Sequence, residues 1–175
     1  LKNRVGIEHR PSVVDSKKRI GDWEGDTVIG AGRKGALVTL VERKSRYTLA
    51  YPLRSKHSAG VTQAIVELLR PHKQVCKTLT FDNGKEFCGH GKIDEALGST
   101  SYFARPFASW ERGSNENFNG LLRQYVPKKR SMESITDEEI RMIENRLNNR
   151  PRKRLGFRTP SEVFHQSLRR VALRP

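Results

Sequence analysis

The chain has 175 residues, 35% of them hydrophobic and 30% charged, enough for one ordinary domain with its own core and some appended structure. Its formal net charge is +15, and the surplus is uneven: residues 1–20 carry 6 Lys/Arg against 2 acids, residues 21–120 carry 14 against 11, and residues 121–175 carry 14 against 6. A near-neutral middle with basic flanks points to a phosphate-rich partner, DNA or RNA, and no apolar run approaches the roughly 18 residues of a membrane helix, so a membrane protein is not expected.

Leu1 rather than Met opens the chain in the basic, unpatterned LKNRVGIEHRP, as expected of a fragment of something longer. From Asp22 the pattern is strand-like: WEGDTVIG, a turn at AGRKG, ALVTLVE, a charged turn at RKSR, then YTLAYPL, predicting three consecutive antiparallel strands. SAGVTQAIVELL at 58–69 places Val61, Ile65, Leu68 and Leu69 at helical spacing and stops before Pro71. CKTLTF is a strand ending in Asp82; a weak helix around Gly91–Leu97, a strand TSYFA and a helix starting near Ser114 follow. Beyond YVPKKR, a helix runs from a capping box at Thr136 (TDEE) to about Asn149, with a short one at TPSEVFHQSL. Cys76 and Cys88 have neither CxxC nor Cys/His ligand spacing, and His90 adds no second pair, so no disulfide framework or zinc site is expected and a reduced, intracellular setting fits best.

Three carboxylates dominate the chemistry: Asp26 in GDWEGDTV, Asp82 in LTFDNGKEF and Glu116 in WERGSNENFNGLLRQ, with 33 residues between the last two. An oxygen-only set of this kind suits a hard cation such as Mg²⁺ that works on phosphates. The reading is metal-dependent phosphoryl transfer. Three strands, helix, strand, helix, strand, helix is the ribonuclease-H-like plan, an α/β mixed sheet flanked by helices. In that plan Asp26 lies on the first strand, Asp82 at the end of the fourth, and Glu116 on the helix after the fifth.

Five ordered blocks, GDWEGDTVIG, TLVERKSR, TFDNGKEF, RPFASWERGSNENFNGLLRQYVPK and LNNRPRKRLGFRTPSEVF, make the stretch from about Arg19 to Phe164 resemble the catalytic region of bacterial transposases of the insertion sequence thirty family, within the integrase-core (DDE) superfamily. The resemblance implies a basic N-terminal arm (1–20), a ribonuclease-H-like catalytic core (21–125) and a basic helical C-terminal extension (126–175). It also implies that Asp26, Asp82 and Glu116 are catalytic and hold Mg²⁺, with Mn²⁺ as a substitute. Such enzymes cut transposon ends and join them to target DNA, which would make the partners DNA and further copies of the chain on that DNA, in the bacterial cytoplasm at the nucleoid. In that family the element ends are read by N-terminal helix-turn-helix domains, and none is seen before residue 1. Two other readings are a ribonuclease-H-type nuclease without strand joining, and a non-catalytic DNA-binding derivative.

Glu116, Asn119 and Arg123 are spaced i, i+3 and i+7, so one helix face carries a carboxylate, an amide and a cation, and the resemblance implies that Arg123 touches the DNA backbone. Lys128, Lys129 and Arg130, then Arg150, Arg152, Lys153 and Arg154, are the other candidate DNA contacts, and the segment 150–153 is a candidate for subunit contacts. Glu24 shares a strand face with Asp26 and is a candidate auxiliary metal or water contact. Glu86 assists Asp82, braces its turn, which Gly84 permits, or pairs with a cation. Trp23 is expected in the core, while Trp110 is a candidate stacking side chain near DNA.

Overall fold

The computed structural model describes residues 1–173 except Lys56, Phe107, Ser109, Trp110 and Arg112. Five strands form one mixed sheet: β1 (Asp22–Ile29), β2 (Ala36–Glu42), β3 (Thr48–Leu53), β4 (Thr78–Phe81) and β5 (Thr100–Phe103), in the order β3-β2-β1-β4-β5. β1, β2 and β3 are antiparallel, and β4 and β5 continue the sheet parallel to β1. All seven residues of β2 are buried. That explains its mostly apolar run ALVTLV, interrupted by the buried Thr39, since a central strand is covered on both faces.

Helices cover both faces: α1 (Ser58–Leu69), α2 (His90–Leu97), α3 (Gly113–Leu122), α4 (Asp137–Asn148) and α5 (Pro160–Ala172). On one side Trp23, Leu40, Leu79, Phe81 and Phe103 from the sheet pack with Val61, Ile65 and Leu69 of α1 and Ile93 of α2. On the other, Val28, Leu37 and Val41 pack with Phe118 and Leu122 of α3 and Ile140, Ile143 and Leu147 of α4. Trp23 is fully buried in the first cluster, as expected.

The flanks are built into this core. Segment 1–20 lies along the open edge of β5: Phe103 N–H donates to the Val5 carbonyl (2.9 Å), and Arg10 donates to Thr80 Oγ1 (2.9 Å). At the far end α5 sends Phe164 into the first cluster, stacked on Tyr47 with ring centroids 4.3 Å apart. Edge strand β3 is closed by side chains of α4: Asn148 Oδ1 accepts from Thr48 N–H (2.8 Å), its Nδ2 donates to the Thr48 carbonyl (2.9 Å), and Glu144 accepts from Ala50 N–H. Polar side chains thus take over the pairing that a further strand would provide. The capping box expected at α4 is only half made: Thr136 accepts from Glu139 N–H, but the Glu139 carboxylate is held by Arg130.

Candidate active site

The β1–β4 register pairs Glu24 with Thr80. Two residues further along each chain come Asp26, within β1, and Asp82, one residue past β4. Both are half-buried, so neighbouring strands carry the two carboxylates out at one place. Asp26 Oδ2 accepts from the Asn119 amide of α3 at 2.8 Å, and its Oδ1 accepts from Thr27 N–H at 2.9 Å. Glu116 stands one turn before Asn119 on the same helix and is exposed to solvent. The structure therefore gathers three separated sequence blocks. Among the described residues, however, no three His, Cys, Asp or Glu side chains stand close enough to hold a metal ion. The donor chemistry fits a hard divalent cation, all its atoms being carboxylate oxygens, while the complete three-ligand cluster is not drawn together.

The Asp82 turn is pinned on several sides. Asp82 Oδ1 accepts from Gly84 N–H (2.9 Å), and Asn83 Nδ2 donates to the Ala104 carbonyl (2.6 Å). Glu86 Oε1 accepts from Thr27 Oγ1 at 2.9 Å. Through that bond Glu86 ties the turn to β1 beside Asp26. Gly84 has an ordinary φ of −61°, so left-handed freedom is not what the turn requires. A Cβ there would come within 2.5 Å of the Glu86 carboxylate and 2.9 Å of Asp82 Oδ1, so a larger residue would push these carboxylates aside. Gly25, next to Asp26, is needed for space, because a Cβ would sit 2.4 Å from the buried Phe81 ring.

The structure gives Glu24 a different position from that of an auxiliary ligand. Its side chain is fully buried; Oε1 accepts from Arg43 at 2.7 Å, and Oε2 accepts from the backbone N–H groups of Ser114 (3.0 Å) and Asn115 (3.1 Å). A carboxylate at a helix N-terminus satisfies amides that have no partner within the helix and meets the positive end of its dipole. Glu24 thus anchors the helix that carries Glu116 and Asn119. Sequence reasoning missed its partner Arg43, whose guanidinium also reaches Asp15 at 3.4 Å. The one available signal was that a buried strand carboxylate requires a cation.

The expected DNA contacts divide. Arg123 leans on carbonyls, Val126 at 3.5 Å and Ile29 at 3.4 Å, beside a shallow groove of about 500 Å³ shared with Thr27, Asn119 and Lys128. Lys128 and Lys129 are exposed. Arg130 is not a free cation: it grips Glu139 through both its NH groups, which holds that carboxyl below its usual range. Arg152 is half-buried and donates to the Leu147 carbonyl at 3.0 Å, and burial lowers its pKa. Arg150 donates to Gln124 at 3.2 Å, while Lys153 and Arg154 are exposed. Trp110 lies outside the described residues.

Residues 16–109 match the integrase core domain family. The chain is 46% identical over 166 residues to the transposase for insertion sequence element IS4351 of Bacteroides fragilis, covering 95% of this chain and 51% of that protein. It is 41% identical over 167 residues to the transposase InsI for insertion sequence element IS30A of Escherichia coli (strain K12), covering 95% of this chain and 43% of that protein. The chain spans about half the length of these relatives. Among solved structures, the catalytic core domain of BIV integrase superposes with a TM-score of 0.67 at 21% identity, covering 86% of this chain and 97% of that one. A simian T-cell lymphotropic virus intasome chain gives a TM-score of 0.68 at 15% identity, over 84% of this chain and 55% of that one. These likenesses establish the ribonuclease-H-like fold expected from the element order. With more than half of its length matched by the family model, the chain belongs to the integrase core family.

Proposed function

We propose that this chain is the catalytic core of a DNA transposase that cuts transposon ends and joins them to target DNA, with Asp26, Asp82 and Glu116 holding Mg²⁺ or Mn²⁺. The observation that carries the reading is the Asn119–Asp26 hydrogen bond of 2.8 Å. It sets the face of α3 that bears Glu116 against the strand pair bearing Asp26 and Asp82, and the relatives named as transposases match over these same blocks. A bound divalent ion would supply charge neutralisation at the phosphate and activation of the attacking oxygen. The protein's own part is positional. Asn119 orients the Asp26 carboxylate, the Gly84 amide orients that of Asp82, and the Glu24 anchor fixes the helix from which Glu116 projects. Arg123 and Lys128 flank the groove along α3, where they would hold the DNA backbone. The chain would work as a homo-oligomer assembled on DNA.

The test is incubation with Mg²⁺ or Mn²⁺ and labelled DNA carrying the element ends. Nicked and then joined products are expected. Hydrolysis without joining would favour a ribonuclease-H-type nuclease, and no product at all would favour a non-catalytic derivative. A readout independent of activity is thermal unfolding: divalent ion at about 100 times its dissociation constant should add roughly 2.7 kcal/mol of stability, and Asp82→Asn should abolish that increment. A melting temperature indifferent to millimolar Mg²⁺ and Mn²⁺ would count against the ion site.

A further inference from the structure

On the side of α3 away from Asn119, a cavity of about 510 Å³ opens between the helix, the β2–β3 turn and the segment after α4. Its α3 wall is made by Ser114, Asn117, Phe118 and Leu121. These positions form one stripe of the helix, and Glu116, Asn119, Gly120 and Arg123 form the opposite one. Five cations line the cavity, Arg46, Arg150, Arg152, Lys153 and Arg154, and among the described residues the lining contains no Asp or Glu. The contrast with a neighbouring cavity of about 530 Å³ is informative, because there Arg10, Lys17, Arg43 and Arg105 are interspersed with Glu8, Asp15 and Glu111. In that cavity Arg10 pairs with Asp15, and Arg105 pairs with Glu111.

Among the described residues, the three of these cations that make hydrogen bonds have neutral partners. Arg46 donates to Ser114 Oγ, Arg150 to Gln124 and Arg152 to the Leu147 carbonyl, and Arg152 Nε is buried without an acceptor. The nearest acids are already committed, Glu24 to Arg43 and α3, and Glu42 to Ser45 and the Gly21 amide. Like charges therefore crowd one another. Burial and then Arg154 and Arg43 pull Arg46 below its usual pKa against the opposing pull of Glu24 and Glu42, while burial followed by Arg46, Arg43 and Arg154, against Glu24, does the same to Lys17. A fold that gathers cations in a partly dry cavity whose lining holds no acid gains stability from an anion supplied from outside.

We propose that this cavity binds the phosphates of a single DNA strand, on the far side of α3 from the carboxylates. Five cations spread along the cavity exceed what one phosphate needs, and Val41, Phe118 and Leu121 add apolar wall suited to a sugar or base. This inference rests on the reading that the chain acts on DNA.

The test measures fluorescence anisotropy of a labelled 15-nucleotide single strand of mixed sequence with the whole chain, in chelator, across 50–300 mM NaCl. Replacing two of the exposed cations together, Lys153→Gln with Arg154→Gln, should weaken binding about tenfold and reduce the log–log salt slope by about 1.4, at roughly 0.7 per lost phosphate contact. Arg154→Lys, which keeps the charge, should leave the slope intact. Arg169→Gln with Arg170→Gln removes the same charge from exposed positions of α5 and should change affinity less than twofold. Equal losses from the two double variants would overturn the proposal, since net charge alone would then explain binding. If inorganic phosphate at matched ionic strength raised the melting temperature of the parent but not of the Lys153/Arg154 variant, while both bound the strand equally, the cavity would be a free-anion site and the strand assignment would be wrong. Loss of strand binding in that variant with no cleavage or joining by the parent would overturn the transposase reading and leave this one standing.

Discussion

Helix α3 separates two regions of opposite character. Its outer stripe carries Glu116 and Asn119, the latter bonded to Asp26, and its inner stripe faces a cavity lined by Arg46, Arg152 and Arg154. Both suit a polyanion, but in different ways. Carboxylates attract DNA only through a cation they hold, whereas arginines attract it directly. Side by side, the arginines would compete with the metal ion for the carboxylates. A helix is about 10 Å across, comparable to the screening length of about 8 Å at physiological ionic strength, so placing the two sets on opposite stripes lets each keep its charge.

The comparison is broken most sharply by substitutions that should act on one side only. Asp82→Asn should reduce cleavage and joining by roughly a thousandfold, the several kcal/mol that a metal ion contributes at a phosphoryl transition state, while DNA affinity in chelator changes less than twofold. Gel assays of product together with anisotropy separate the two effects. Activity within tenfold of the parent would remove Asp82 from the site.

Next in size is the shared support. Glu24→Gln leaves the Arg43 charge buried opposite a neutral amide and weakens the acceptor for the Ser114 and Asn115 amides. Removing one partner of a buried ion pair costs about 3–5 kcal/mol, which urea unfolding would register. Because α3 forms a wall of both regions, metal-dependent stabilisation and strand binding should both weaken. If only metal dependence suffered, α3 would not be the common frame.

Much of this was legible in the sequence, and the misses share a cause. The strands and helices follow from alternation and from helical spacing, and Asp26, Asp82 and Glu116 stood out as acids on a strand, at a strand end and on a helix. What one-dimensional pattern could not supply was the partner of each side chain. Glu24 and Asp26 share a strand face, yet only the docking of α3 and the reach of Arg43 decide that one carboxylate is buried and the other half-open. Arg130 reads as one of three equivalent cations until Glu139, nine residues on, is brought beside it by the start of α4. The flanks read as appendages because charge counts do not reveal that Val14 and Phe164 are buried in the fold. The 510 Å³ cavity needed three dimensions, since Arg46 and Arg154 are more than a hundred residues apart in the chain.

A smaller effect is expected at Gly25. The ring of Phe81 leaves 2.4 Å for a Cβ, so Gly25→Ala must displace the ring or β1 itself, at about 1–3 kcal/mol for overpacking. The displacement falls next to Asp26 and on the face of the sheet opposite the one that carries Val41 and Phe118 to the cavity. Metal-dependent stabilisation should drop while strand affinity in chelator holds. Equal disturbance of both would mean that the two regions are mechanically one.

The smallest expected effect concerns what holds the basic side in place. Glu144 binds α4 to the edge of β3 through Ala50 N–H, only a few residues before the segment Arg150–Arg154 that lines the cavity. Burial raises its pKa from 4.5 to about 7, against the opposing influence of the Ala50 amide and of Arg141. A carboxyl whose pKa is raised by folding binds its proton more tightly in the native state, so its contribution to stability is complete below about 4.5 and is lost as pH rises to about 7. Above that the native and unfolded groups are both ionised, and the penalty is constant. Glu144→Gln keeps an acceptor for Ala50 N–H and cannot ionise. It should match the parent near pH 4.5 and exceed it by about 1–2 kcal/mol at pH 8, a figure below the full linkage value because the side chain is partly exposed. Urea unfolding at several pH values measures the difference. A gap between parent and variant that stayed flat from pH 4.5 to 8 would show that Glu144 is not the group whose ionisation loosens α4 from the sheet edge. A gap that widened with pH, accompanied by tighter strand binding in the variant at pH 8, would tie the ionisation of this one carboxyl to the cavity that α4 helps to build.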